Sequence, residues 1–335
     1  MSDPVLQELP LGFQWPAVDP FLFCVHHLDR YPAGNGRLGP PEESLAGREI
    51  GSDFEPRDGW RMYHGSDIPG FPQHPHRGFE TVTLVRQGLI DHSDSLGAVA
   101  RFGRGDTQWL TAGAGIVHSE MFPLVDTAAP NTTELFQIWL NLPASDKMVD
   151  PYFTMLWAAD IPVVTFDGGS ITVVAGAIGD AKPASPPPNS WAARDDADVA
   201  IWLLRLDAGA SWTVPAARHD DVARTVYFFE GDSLTLDDHA LPASTGAIVR
   251  SDADIVVRAG ESAIECLVLQ GRPIGEPVAQ YGPFVMNTRA EIEQAFADYR
   301  RTGFGGWPWD ADGPAHGNDP ARFARHPSGL VERPE

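Results

Sequence analysis

Two short stretches, His74-Pro75-His76 and His118-Ser119-Glu120, each carry a pair of metal-binding side chains two residues apart. Residues i and i+2 of a β-strand project from the same face. Each pair can therefore point into one pocket, His74 and His76 from one strand and His118 and Glu120 from a second. Three imidazoles and a carboxylate converging inside a barrel make a mononuclear site for a first-row metal, and this donor set suits Fe(II), Mn, Ni, Cu or Zn without choosing among them. Four protein ligands leave two positions of an octahedron for a bidentate substrate or for substrate plus O2, whereas a closed tetrahedral site would be structural. A lone His-x-His also occurs on strands for packing. What favours a metal is the second pair, which follows the glycine-rich turn Gly113-Ala114-Gly115.

Other polar residues are candidates for the surroundings of this site. Unbroken strand parity would put Glu80 on the face of His74 and His76. A bulge at Gly78 would turn it away, and a role behind the ligands is the preferred reading. His92, in Asp91-His92-Ser93-Asp94-Ser95, reads either as a pocket residue or as an exposed turn histidine. The C-terminal barrel carries His219 and His239 but no His-x-His or His-x-Glu, and it is expected to hold no metal. Arg104-Gly105-Asp106 is an adhesion-like tripeptide expected to be fortuitous in a turn between strands.

Short strands separated by turn residues must position these groups. From Phe79 to Leu140 the candidates are Glu80–Val85, Leu89–Ser95, Gln108–Thr111, Ile116–Glu120 and Glu134–Leu140, the last with Phe136, Ile138 and Leu140 on one face. No amphipathic helix interrupts them, which predicts an all-β barrel or jelly roll. The rhythm resumes between Val199 and Gln270 and predicts a second barrel. Thr288, with Glu291 three residues on, opens a helix through a capping box, and Gly303 ends it. Expected domains are thus 1–145, a metal-binding barrel; 146–288, a metal-free barrel; and 289–335, a short helix and a tail lying on the surface or disordered. The Pro- and Gly-rich segment from Tyr31 to Asp58 reads as a lid or a mobile excursion.

The 335 residues carry 24 Lys and Arg against 46 Asp and Glu, a net charge of -22. This balance argues against direct binding to nucleic acid or anionic membranes. Cys24 and Cys266 are far apart and form no disulfide framework. With no visible signal peptide and no membrane-length apolar stretch, a cytoplasmic location is expected.

The stretches His74-Pro75-His76-Arg77-Gly78-Phe79-Glu80-Thr81-Val82, Asp91-His92-Ser93-Asp94-Ser95-Leu96-Gly97 and Thr111-Ala112-Gly113-Ala114-Gly115-Ile116-Val117-His118-Ser119-Glu120-Met121 resemble the pirin family of the cupin superfamily. Phe136 to Pro143 and Gly282 to Thr288 continue the resemblance. It implies two tandem cupin barrels, a bicupin, with metal only in the first. By the family's pattern His74, His76, His118 and Glu120 ligate iron, and Glu80 does not. Some pirins resemble quercetin 2,3-dioxygenases, which open a flavonol ring with O2 and release carbon monoxide. Others are described as nuclear co-regulators whose iron state alters partner binding. The expectation is an iron-dependent dioxygenase acting on a flavonol-like or other enol-bearing aromatic, with Glu120 accepting the substrate's hydroxyl proton. The alternative is a non-enzymatic, redox-sensing iron protein that works through a protein partner.

Overall fold

The structure is a computed structural model describing residues 3–334. It is all-β apart from one α-helix and four single-turn 3-10 segments. The strands form two compact units that interleave in sequence. One unit takes His26–Gln137, Ala144–Ala158 and the chain from Glu276 onward; the other takes the chain up to Val25, Ile138–Pro143 and Ala159–Gly275. Boundaries at 145 and 288 therefore do not separate them. The strand Val5–Pro10 pairs with Thr245–Val249 in the C-terminal barrel, and the residues after 288 belong to the N-terminal one.

The N-terminal unit is built on two sheets. The first orders its strands Tyr152–Leu156, Thr107–Thr111, Phe79–Gln87, Asn131–Asn141 and Phe21–Tyr31. The second orders them Val331–Glu332, Phe323–Arg325, Val99–Gly103, Leu89–Asp94, Ile116–Met121 and Gly70–His76. Side chains from both sheets, among them Ile90, Phe102, Leu110, Ile116, Phe122 and Phe153, make one buried cluster. The C-terminal unit repeats the plan with a seven-stranded and a four-stranded sheet closing on Trp202, Phe228, Leu234 and Val257.

The helix runs Arg289–Thr302. Its capping box forms as the sequence predicts, and Gly303, at φ 55°, provides the left-handed C-cap that only glycine adopts without strain. Ile292 and Ala295 pack with Phe284, Phe304 and Val117. Val117 lies between two residues of the His118 strand, so the helix covers the back of that strand.

One expectation is corrected and one is narrowed. The segment from Tyr31 to Asp58 is pinned down. The Arg48 guanidinium lies 3.3 Å from the Trp60 ring centre and donates to Asp53 at 2.9 Å and to the carbonyls of Trp60 and Arg57. The tail does lie on the surface, with only Ala324 of residues 306–334 buried, but it is paired into the sheet and not disordered. Phe323–Arg325 pairs with Val99–Gly103. Arg101, wholly buried, forks onto Asp91 at 2.7 and 2.6 Å and donates to the carbonyls of Gly317 and Asp319 in the tail. A buried guanidinium needs these acceptors, because an unpaired buried charge is strongly destabilising.

The candidate metal centre

The antiparallel pair Gly70–His76 and Ile116–Met121 places His74 directly opposite His118. Cross-strand partners share a face, and His76 is two residues from His74, so all three rings meet. Ring centres are 4.4 Å apart for His74 and His118, 4.8 Å for His74 and His76, and 4.9 Å for His76 and His118. One ring nitrogen from each lies within 4.8 Å of the others. The chain then turns at Gly78, where φ is 85° and a Cβ would fall 2.0 Å from the Val285 carbonyl oxygen. That corner ends one strand and starts the next, so parity cannot be counted through it to Glu80.

These histidines fit a metal. His118 is fully buried, yet neither of its ring nitrogens has a hydrogen-bond partner among the described residues. Leaving two such atoms dry costs free energy, and a metal would satisfy one of them. His74 Nδ1 donates to the Pro72 carbonyl at 2.8 Å, which fixes the tautomer and leaves Nε2 as the free lone pair. Burial lowers the His74 pKa to about 4 and pushes those of His76 and His118 well below the usual range. All three are therefore neutral at pH 7, the state a metal requires.

Glu120 is not part of the three-histidine group. It lies on the same strand face as His118, opposite His92, and is buried. Thr83 Oγ1 lies 2.9 Å from Glu120 Oε1 and 2.8 Å from Gln137 Oε1, and Gln137 Nε2 lies 3.3 Å from Glu120 Oε2. This triangle has three contacts. Thr83 and Gln137 can each supply one proton along it, whichever way the amide is turned. A third proton, which would fill all three contacts, is present only when Glu120 is protonated. Burial raises the Glu120 pKa, in keeping with that count.

Glu80 is fully buried and accepts from Thr111 Oγ1 at 2.7 Å, on the strand that pairs with its own. His92 is fully buried as well, which overturns the exposed-turn reading. Its ring is 5.5 Å from that of His118 and stacks on Phe153 at 5.2 Å. His92 Nε2 lies 3.2 Å from Asp94 Oδ2, and His92 Nδ1 has no partner among the described residues. Asp94 also accepts from the backbone of Leu96 and Ala98 through Oδ1, tying the hairpin turn to the His92 ring. The Asp of Arg104-Gly105-Asp106 is buried, receiving the Gly103 and Ala158 amides and Arg322, so the tripeptide is an internal turn.

Thr83 and Gln137 were not singled out from sequence. The apolar alternation of Phe136, Ile138 and Leu140 pointed to the other face of their strand, where Phe136 stacks on His26 at 4.7 Å. The face toward the site carries Leu135, which joins the barrel core, and Gln137.

The family model for pirin matches residues 14–140, and that for the pirin C-terminal cupin domain matches residues 201–305. A Pseudomonas aeruginosa protein named "Putative quercetin 2,3-dioxygenase PA2418" is 38% identical over 237 residues, covering 70% of this chain and 79% of that one. Pirin from Mus musculus is 36% identical over 254 residues, covering 73% of this chain and 81% of that one. The crystal structure of a quercetin 2,3-dioxygenase from Acinetobacter baumannii superposes with a TM-score of 0.71 at 28% identity, covering 91% of this chain and 99% of the other. With both family domains present on a pair of strand-built barrels and a three-histidine cluster inside the first, the chain belongs to the pirin family of bicupins.

Proposed function

We propose that the chain is a metal-dependent dioxygenase of the quercetin 2,3-dioxygenase type, opening a flavonol or related enol-bearing ring with O2. The observation that carries this reading is buried His118, with neither ring nitrogen partnered among the described residues, facing His74 and His76. The likeness to a quercetin 2,3-dioxygenase over 91% of the chain supports it. His74, His76 and His118 would hold one mononuclear first-row metal, Fe(II) by the family's pattern, with Glu120 as a fourth ligand. When bound, the metal would supply Lewis-acid polarisation of the substrate's enol oxygen and orientation of the reactants.

The remaining steps belong to the chain's own side chains. Glu120, when ionised, takes the enol proton on a carboxylate oxygen. That proton is the third one, which fills all three contacts of the Glu120–Thr83–Gln137 triangle, so proton uptake and completion of the network coincide. His92, stacked on Phe153 beside His118, presents Nδ1 as an acceptor to a substrate hydroxyl. Glu80 acts through Thr111 and not as a ligand.

The test is elemental analysis of anaerobically purified protein, with O2 uptake followed on quercetin in the same preparation. Iron with substrate-dependent uptake, abolished in His76→Ala, is the expected outcome. A folded protein that contains no metal and takes none up on reconstitution would overturn the reading.

A further inference from the structure

The tail beyond residue 305 lies outside both family matches, and it builds a cleft of about 530 Å³ on the N-terminal unit. Its floor is a cross-strand row. Arg325 pairs with Val99 on one side and with Val331 on the other. Strand parity sets Phe323 on the face of Arg325, and Arg333 follows Val331 by two residues. The walls are Trp309, Pro314 and His316.

Hydrogen bonds hold those walls in place. Trp309 Nε1 donates to the Asp94 carbonyl at 3.0 Å, and His316 Nε2 donates to the His92 carbonyl at 2.9 Å. The His316 amide donates to Asp91 Oδ2 at 2.8 Å. The ring edges are spent on the sheet behind, which leaves ring faces to line the cleft. His316 and Phe323 meet edge to face at 5.6 Å.

Two guanidiniums, Arg325 and Arg333, line this cleft. Neither has a hydrogen-bond or ion-pair partner among the described residues. In a chain of net charge -22, where 46 acidic side chains compete for 24 basic ones, two exposed arginines lining one cleft with no acidic partner among the described residues stand out. Arginine forks match the two oxygens of a carboxylate, and aromatic walls match a planar ring. An open cleft of this size has room for a small organic molecule.

We propose that the tail cleft binds an anionic aromatic ligand, an aryl carboxylate. Its carboxylate lies on Arg325 and Arg333 and its ring against Trp309 and Phe323. The proposal stands apart from the activity assigned to the metal centre.

Calorimetric titration of the full chain, as purified, with 1-naphthoate tests it, with 1-naphthamide as the neutral counterpart. The expected result is one naphthoate per chain and amide binding at least ten-fold weaker. The double substitution Arg325→Gln and Arg333→Gln lowers naphthoate affinity at least ten-fold, with an unchanged thermal midpoint because neither side chain loses a partner. Val331→Asp, at an exposed floor position, gives the same loss by placing a like charge beneath the carboxylate. No binding to the unmodified chain, equal affinity for the amide, or naphthoate binding undiminished in these variants would overturn the proposal. Naphthoate held at the metal centre would give that last result. A chain without O2 uptake leaves the titration readable, so the two readings fail separately.

Discussion

His74 and His118 face each other across two antiparallel strands with ring centres 4.4 Å apart, one anchored through Nδ1 to the Pro72 carbonyl and the other without a hydrogen-bond partner among the described residues at either nitrogen. His74 is thus oriented in advance, while His118 would gain a partner from a bound metal. His118→Ala is expected to abolish stoichiometric metal and O2 uptake while leaving a folded chain, since the side chain makes no hydrogen bond to lose. Elemental analysis beside circular dichroism checks this. Full metal content in the variant would remove His118 from the ligand set.

Glu120→Gln replaces the carboxyl with an amide that carries the missing third proton of the triangle. The fold should be as stable as before, and metal should be largely retained through the three histidines. Turnover should fall by about 10²–10⁴, the usual contribution of a positioned proton acceptor. Parallel measurements of metal, thermal midpoint and O2 uptake separate these effects. Retained turnover would remove Glu120 from the proton-accepting role.

Metal-free protein should lose stability on acidification. Burial lowers His27 to about 3 and His74 to about 4, and holds His76 and His118 well below 6.5. The unfolded chain takes up these protons near pH 6.5 while the folded chain does not. The stabilisation is therefore complete above that pH and declines as pH falls toward 4, by up to ~1.4 kcal/mol per unit for each histidine. Asp29 opposes this, because burial raises it from 3.8 to about 6 and its contribution is lost as pH rises through that value. Burial raises Glu120 too, which opposes in the same direction, and four histidines outweigh these two carboxylates. Urea midpoints at pH 7.5, 6 and 5 should decrease in that order, and a flat or rising series would contradict the account.

Arg101→Leu leaves Asp91 buried with only the His316 amide in place of the fork and strips the Gly317 and Asp319 carbonyls of their donor. Breaking one side of a buried pair costs about 3–5 kcal/mol. Chemical denaturation should show a loss in that range, and a loss below about 1 kcal/mol would mean that the tail is held by other contacts.

The strand rhythm, the paired His-x-His and His-x-Glu and the capped helix were all legible in sequence, because each is a local pattern with a local cause: strand parity, ligand spacing, an N-cap. Gly78 was legible as a place where strand parity could break, and the chain does turn there before Glu80. Gln137 was missed because the apolar alternation of Phe136, Ile138 and Leu140 marks one face of its strand and says nothing about which polar residue on the other face meets the site. The tail was missed for a different reason. Its attachment depends on Arg101 and Asp91, more than 200 residues away from Gly317, and nothing near residue 317 announces a partner at that distance.

That separation bears on biosynthesis. As the chain leaves the ribosome, the segment bearing all four candidate ligands emerges early. The sheet that carries them stays short of Phe323–Arg325, and Arg101 short of its tail acceptors, until residues far downstream have followed. The strand Val5–Pro10 likewise waits for Thr245–Val249. Neither barrel can close in the order in which it is translated. A metal entering a finished pocket would therefore do so after the tail has been translated, and a nascent chain stalled before residue 320 would carry its candidate ligands in a sheet whose opposite edge, at Val99–Gly103, still lacks its tail strand.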